Sequence, residues 1–362
     1  MVETREDCFV PRPGASVRFY HRPEPRNHID MLLTIGIITL NRSKCLVQTI
    51  AAFLSQIDHW EETELLICDN ASTDDTFERM SELQLKFPKI KYERNATNLG
   101  FSGNVLKTVQ LATGEYVWFF ADDDLILDGT LARVLTTLRT YQPAILYLNH
   151  YAFDEGAPEV VVQKCHVERD HVFKSGFEFF KVAGLGFLSS LLVKKTHLDE
   201  FRPKVEPARN NAHLEMAAYT ALSKPGPFVF LGTVSVAARR PQTAAYNILI
   251  EGHVRVLRIY EQLVKDGLLS KSYFADWRHR DLIYGVFRGA LFQYTSGNFR
   301  NVIASEPALR NVYGEDWAYP VTVGLLCRLP VWLVNGPYKL LRSIYRNIRI
   351  QLYKFNRKPN SK

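Results

Sequence analysis

Three adjacent carboxylates, Asp122-Asp123-Asp124, follow the apolar run Tyr116–Phe120. Like charges held so close repel one another unless a cation sits between them. A hard divalent ion such as Mg2+ or Mn2+, itself bridging phosphate oxygens, suits oxygen ligands of this kind. The same run also suits the acidic start of a helix, which the helix dipole favours. Two more polar clusters, Thr39-Leu40-Asn41-Arg42 and Asp69-Asn70, end apolar runs of their own. Their amide and carboxylate groups match the donor and acceptor edges of a nucleobase, although ordinary turns and caps use these residues too. A fourth cluster, Asn98–Asn104, contains glycines but is no P-loop, and no GxGxxG follows the first apolar run. A kinase-type or dinucleotide phosphate cradle is therefore missing.

Elements that would position these clusters are legible in the periodicity. Leu32–Leu40 is a short apolar, β-branched run, as a buried parallel strand requires. Leu46, Val47, Ile50, Phe53 and Leu54 then repeat at helical spacing, with Asn41 or Ser43 as N-cap. Glu64–Cys68 predicts a second strand. Ser72 and Asp75 have capping-box spacing and predict a helix that turns Phe77, Met80 and Leu83 to the sheet. Ile90–Glu93 predicts a third strand, followed by a helix from about Ser102 to near Gly114, a good residue just past a helix end. Glu115–Phe120 predicts a fourth strand, Leu131, Val134, Leu135 and Leu138 mark another helix, and Ala144–Leu148 predicts a closing strand. Strand–helix alternation over residues 31–150 implies a parallel α/β sheet with the polar clusters at the C-terminal strand ends, where such sheets bind ligands.

In order, TLNR, DNASTDDT, NLGFSGN and GEYVWFFADDD resemble the motifs of the inverting glycosyltransferases of family 2, which have the GT-A nucleotide-sugar fold. The resemblance is strong over about residues 31–150 and looser over 170–245. It implies that Thr39, Asn41 and Asp69 line the nucleoside pocket, with Asp69 accepting from the base and Arg42 part of the nucleotide-sugar set. Asn98 and Asn104 would border the donor site. Asp122-Asp123-Asp124 stands where the family has its DxD-type motif, with Ala121 where many members have the first Asp. The resemblance implies Mn2+ or Mg2+ on Asp123, Asp122 toward the ribose or the metal, and Asp124 in support. It also implies a general base, usually the Asp of a Glu-Asp pair opening a later helix. Residues 210–216 correspond, and no such pair is present. His213 falls in the Asp position and has the intrinsic pKa for a base near neutrality, with Glu215 as substitute; a packing histidine is the plainer alternative. Arg239-Arg240 is expected to hold the diphosphate bidentately, unless it is a solvated basic pair.

Composition narrows the remaining possibilities. The 362 residues carry 45 Lys+Arg against 38 Asp+Glu, a net +7. Residues 321–362 hold nine basic residues and no acidic one, which leaves −2 on the first 320. A nucleic-acid-binding body is disfavoured, since such domains carry the excess on their folded face. Five dispersed cysteines without a CxxC pair suggest reduced thiols and a cytoplasmic setting. No signal peptide or spanning helix is expected. Beyond Gly336-Pro337, Leu341, Ile344, Tyr345, Ile348, Leu352 and Phe355 fall on one helical arc, flanked by Arg342, Arg346 and Arg349. That pattern reads as an interfacial membrane helix or as a helix packed on the protein.

The expected architecture is an α/β GT-A domain, Rossmann-like with a mostly parallel sheet, followed by a mainly helical C-terminal region. It divides into an extended arm (1–30), a nucleotide-sugar-binding half (31–150), an acceptor-binding half (151–250), a helical region (251–320) and a basic amphipathic tail (321–362). The expected activity is transfer of a sugar from a nucleoside-diphosphate sugar to a saccharide or polyprenyl-linked saccharide, at the cytoplasmic face of an anionic membrane. The alternatives are a sugar nucleotidyltransferase and a non-catalytic peripheral protein with a degenerate fold.

Overall fold

Strand and helix alternate as the periodicity requires in a computed structural model, which describes residues 31–58, 60–154, 157–164, 169–206, 211–239, 247, 249–295, 298–330 and 333–334. The expected N-terminal arm, Asn210, Arg240 and the apolar arc of the tail lie outside the described residues. The first half runs β1 (Leu33–Thr39), α1 (Ser43–Leu54), β2 (Thr63–Asp69), α2 (Thr76–Lys86), β3 (Ile90–Arg94), α3 (Gly100–Leu111), β4 (Tyr116–Ala121), β5 (Leu125–Ile126), α4 (Thr130–Tyr141) and β6 (Ile145–Asp154). Then come β7 (Ala157–Lys164), β8 (His171–Phe173), α5 (Gly176–Ala183), β9 (Leu191–Lys194), α6 (Lys195–Phe201), α7 (Ala212–Ser223) and β10 (Phe228–Arg239). Helices α8 (Arg255–Lys265), α9 (Lys271–Arg280), α10 (Arg288–Thr295), α11 (Phe299–Tyr313) and α12 (Val323–Leu326) follow.

The strands form one sheet in the order β3-β2-β1-β4-β9-β6-β10-β5, with β7 added on β6 and β8 on β10. Strands β1, β2, β3 and β4 pair in parallel, as do β6 and β10. Strand β9 is antiparallel to both β4 and β6, between which it lies. Strands β1–β4 and the β6–β10 pair are parallel, as the expected mostly parallel sheet requires, and β9 makes the sheet mixed. Three buried residues followed by the half-buried Lys194 give no alternation that would mark β9 in advance.

Period-two alternation along β4 distributes its side chains to two apolar layers. Trp118 and Phe120 face α1, where both make edge-on contacts with Phe53, at 5.4 and 4.8 Å between ring centroids. Val117 and Phe119 face the opposite layer with Val105 of α3, Phe179 and Phe180 of α5 and Met216 of α7. That second layer extends to Ile259, Tyr260 and Leu263 of α8, so the helical region is packed onto the sheet. A third cluster runs from Leu249 to Leu326 and includes Tyr313, Ala318, Tyr319 and Val323. It continues across position 320, where the sequence suggests a division. No helix among the described residues is long and apolar enough to cross a membrane.

Local chemistry departs from expectation at four places. No capping box forms at Ser72: α2 begins at Thr76, whose amide and hydroxyl donate to Asp74 Oδ1 at 3.2 and 2.5 Å. The α1 N-terminus is likewise served by Asp74, whose Oδ2 accepts from the Ser43 amide at 3.2 Å, rather than by Asn41 or Ser43 itself. Phe77 is exposed and packs at 6.3 Å against Tyr92, on the rim of the sheet and not beneath it. Gly114 lies beyond the end of α3, where a Cβ would come within 2.5 Å of the Thr34 amide nitrogen. It is a close-approach glycine between α3 and β1, not a helix terminator.

Candidate active site at the C-terminal strand ends

Parallel register brings the polar clusters together. Thr39 pairs with Asp69, and Ile38 with Ala121, so the residues that follow β1, β2 and β4 emerge at one edge. Thr39 Oγ1 donates to Asp122 Oδ2 at 2.6 Å. Asn41 adopts a left-handed φ of 54°, which Asn tolerates better than most residues. Its Oδ1 accepts from the Thr73 amide at 2.6 Å and its own amide donates to Ser72 Oγ at 2.9 Å, tying the first loop to the second. Arg42 then reaches the acidic turn, with Nη1 2.6 Å from Asp123 Oδ2 and 3.3 Å from Asp122 Oδ1.

Asp69 is fully buried. Its Oδ1 accepts from the Ser72 amide at 2.9 Å and its Oδ2 from the Tyr92 hydroxyl at 2.6 Å, with Arg94 Nε at 3.7 Å. Desolvation and the adjacent Asp69 push the Tyr92 hydroxyl pKa upward, so it stays a donor. Beside it Asn70, Asn95, Asn98 and Asn104 form an amide network. Asn70 Nδ2 donates to Asn98 Oδ1 at 2.8 Å, Asn95 Nδ2 to Asn104 Oδ1 at 2.9 Å, and Asn104 Nδ2 to the Cys68 carbonyl at 2.8 Å. Asn98 is at the exposed end of this network and Asn104 is buried within it.

The three carboxylates of the turn do not point the same way. Asp124 Oδ2 accepts from Ser189 Oγ at 2.6 Å and Oδ1 from the Arg239 amide at 2.9 Å. Arg239 Nε donates to the Asp123 carbonyl at 2.9 Å and its guanidinium to Gln48 Oε1 at 2.8 Å, so Arg239 clasps the turn and is not a solvated cation. Burial pushes Asp122 up to about 6 and Asp124 to about 7, although Arg42 opposes the shift at Asp122. Among the described residues no group of three or more His, Cys, Asp or Glu side chains is arranged to hold a metal ion. Asp122 Oδ1 and Asp123 Oδ2 converge on one cationic nitrogen of Arg42, while Asp124 is turned into the protein.

Helix α7 carries His213 and Glu215, both buried. The Ala212 amide donates to Ser102 Oγ at 3.1 Å, which anchors the start of α7 on α3. His213 Nε2 lies 3.3 Å from the Gly186 carbonyl and its ring stands edge-on to Phe101 at 5.5 Å. Burial lowers its pKa to about 4, so the imidazole is neutral at neutral pH, and its buried Nδ1 has no hydrogen-bond partner among the described residues.

Sequence reasoning missed His150 on β6. Its Nδ1 is 3.1 Å from Ser190 Oγ, its ring is 4.1 Å from that of Phe187, and burial lowers its pKa to about 4. Residues 186–190 therefore touch His213, His150 and Asp124 through Gly186, Ser190 and Ser189 in turn. No motif announces this segment, because its partners lie 27, 40 and 65 residues away.

A Rossmann-like α/β sheet, parallel over β1–β4, with an acidic turn among polar strand ends, is a GT-A-like fold. Residues 34–190 match the family described as Glycosyl transferase family 2. Abequosyltransferase RfbV of Salmonella typhimurium is 32% identical over 185 residues, covering 47% of this chain and 54% of that protein. GalNAc(5)-diNAcBac-PP-undecaprenol beta-1,3-glucosyltransferase of Campylobacter jejuni is 32% identical over 104 residues, 28% of this chain and 33% of the relative. The chain thus matches about half the length of the first relative and a third of the second. Among solved structures, S. aureus TarS 1-349 shares the fold at a TM-score of 0.59 and 15% identity, over 78% of this chain and 81% of that one. The mannosyltransferase PcManGT from Pyrobaculum calidifontis, in complex with GDP-Man and Mn2+, superposes at a TM-score of 0.51 and 14% identity, over 85% and 86%.

Proposed function

We propose that the protein is an inverting glycosyltransferase moving a sugar from a nucleoside diphosphate to a saccharide hydroxyl. The observation that carries this reading is the convergence of Asp122 Oδ1 and Asp123 Oδ2 on a single cation, Arg42 Nη1, at the ligand-binding edge of the sheet. Two carboxylate oxygens already arranged around one positive charge fit a divalent cation with phosphate oxygens as its other ligands. Asp123 and Asp122 would hold Mn2+ or Mg2+, which supplies charge neutralisation to the departing diphosphate. The nucleoside would lie against Thr39, Asn41 and Asn98, with Asp69 offering the base its remaining lone pairs. Arg42 displaced from the carboxylates, Arg239 and Arg240 would pair with the diphosphate.

On the acceptor side the hydroxyl oxygen forms a bond to the anomeric carbon while the bond to the diphosphate breaks. His213 Nδ1, which has no hydrogen-bond partner among the described residues, is the atom proposed to take the hydroxyl proton. Burial lowers its pKa to about 4 and makes it a weaker base than its intrinsic value implies, and Glu215 on the same helix is the substitute. The names of RfbV and the C. jejuni relative describe sugar transfer, the second involving an undecaprenol-diphosphate-linked saccharide. This supports a saccharide or polyprenyl-linked acceptor. A peripheral position at the cytoplasmic membrane face, held by the basic tail, completes the proposal.

Thermal denaturation against a panel of nucleoside diphosphates and sugar nucleotides, with and without Mn2+, tests the reading. A ligand of the native state raises the melting temperature by mass action. The expected result is a rise with one nucleoside series, larger with Mn2+. No rise with any nucleotide under either condition sinks the proposal. Pyrophosphate as the released product would identify a nucleotidyltransferase instead.

A further inference from the structure

Where Arg42 meets the acidic turn, the acceptors are fixed and the donor is free to move. Asp122 is buried, its Oδ2 accepts from Thr39 Oγ1 at 2.6 Å and its carbonyl from Thr49 Oγ1 at 2.9 Å. Thr49 Oγ1 also lies 2.8 Å from the Asp124 carbonyl, so α1 pins the backbone of the turn on both sides of Asp123. Arg42 is anchored through its backbone, where its carbonyl accepts from the Leu46 amide at 3.0 Å at the start of α1. The side chain that reaches out from there is 46% exposed. Both of its ion contacts run through the single nitrogen Nη1, 2.6 Å from Asp123 Oδ2 and 3.3 Å from Asp122 Oδ1.

The two sides of this contact differ in what they require. An ion pair on a half-exposed arginine is weak, because water screens it and the long side chain loses freedom in making it. The buried Asp122 carboxylate beside Asp123 does need a positive charge, since desolvation and like-charge repulsion both oppose its ionised form. The turn therefore demands a cation without demanding this one. A divalent ion taking Asp122 Oδ1 and Asp123 Oδ2 would compete with Nη1 for the same two oxygens, and two positive centres repel one another there. We infer that Arg42 is a stand-in cation, which neutralises Asp122 and Asp123 until a divalent ion takes those oxygens and is then released at the ligand-binding edge. The exchange weakens binding of the ion alone. It also frees the guanidinium for phosphate oxygens, which Arg matches bidentately, only once the ion is in place. This rests on the divalent-cation reading proposed above and adds an order to it, the ion entering before Arg42 pairs with the diphosphate.

Mn2+ alone is the probe, titrated into the full chain with the electron paramagnetic resonance signal of free Mn2+ as the readout. Arg42→Gln should bind Mn2+ about tenfold more tightly than the native chain, within the usual range of coupling between linked sites. Arg42→Lys, which keeps the charge, should not gain, and an equal gain there overturns charge competition. The added affinity should vanish in the double variant Arg42→Gln, Asp123→Ala; affinity that persists places the ion elsewhere and overturns the inference. Equal or weaker binding by Arg42→Gln overturns the stand-in while leaving the metal site proposed above. Mn2+ binding by neither native nor variant protein overturns both. If Arg42→Gln does not fold, modification of the native chain by phenylglyoxal, mapped by peptide mass, supplies the measurement. Saturating Mn2+ should speed modification of Arg42 several-fold and leave that of Arg79, which is paired with Asp75, unchanged. An unchanged rate at Arg42 overturns the stand-in.

Discussion

Individual side chains in the acidic turn have separable duties. Asp124 is bound on both oxygens by Ser189 and the Arg239 amide, whereas among the described residues the Asp123 side chain is paired with Arg42 through its Oδ2. Asp123→Ala should therefore abolish transfer and leave the melting temperature close to native. Full activity in that variant, or in the presence of EDTA, would falsify the metal-dependent reading. His213→Ala should reduce turnover about 10²–10⁴-fold, the usual contribution of a general base, with nucleotide affinity little changed. An active His213→Ala beside an inactive His150→Ala or Glu215→Ala would move the proton acceptor to that residue. His213 also predicts a pH effect on stability. Its folded pKa, about 4, is below the ordinary histidine value, so the unfolded chain binds the proton first as pH falls. Stability should be retained above pH ~6.5 and lost between about 6.5 and 4, by roughly 2–3 kcal/mol for this group. Denaturant unfolding of His213→Gln should show a shallower acid loss than the native chain; identical slopes would exclude the histidine as its source.

Helix starts and strand ends show where element-level reading succeeds. Leu46, Ile50 and Phe53 place α1, because a helix buries residues at this spacing on one face. Its cap was not legible, since Asp74, some thirty residues on, supplies it from another loop. Asp74 holds two helix starts at once, through Ser43 and Thr76. Asp74→Ala should cost about 1–2 kcal/mol, more than an exposed single cap, measured by chemical denaturation. A change within the error of the measurement would show that water replaces it. Strand β9 and the 186–190 segment were invisible for a related reason: short segments buried by distant partners carry no period.

Across the whole molecule, the sheet and the helical region share one apolar layer. Leu263 and Tyr260 of α8 pack with Phe180 of α5, and Tyr260 stacks on Trp277 of α9 at 4.0 Å. The protein should unfold as a single cooperative unit, with near-UV and far-UV circular dichroism changing together. Leu263→Ala should lower stability by about 2–5 kcal/mol through the cavity it leaves. Two separated transitions in the native chain would show instead that the helical region is independent. The third cluster crosses position 320, so truncation to test the tail belongs after Val334, where it spares Val323 and Leu326.

The sequence by itself determined the fold class, the order of the first strands and the four polar clusters at their ends, because those depend on local periodicity and on loop residues that adjoin strands in the chain. It also located the basic excess in the last 42 residues, since charge is additive along a sequence. Only the tertiary structure decided which carboxylates face a common point. That depends on Ser189 and Arg239 drawing Asp124 away, across 65 and 115 residues of chain. Tertiary packing likewise buried Asp69 under Tyr92, enclosed His213 and brought His150 to Ser190. Burial, and with it the direction in which a carboxylate or imidazole titrates, is a property of everything packed around the group. A residue's neighbours in sequence supply only part of that surrounding.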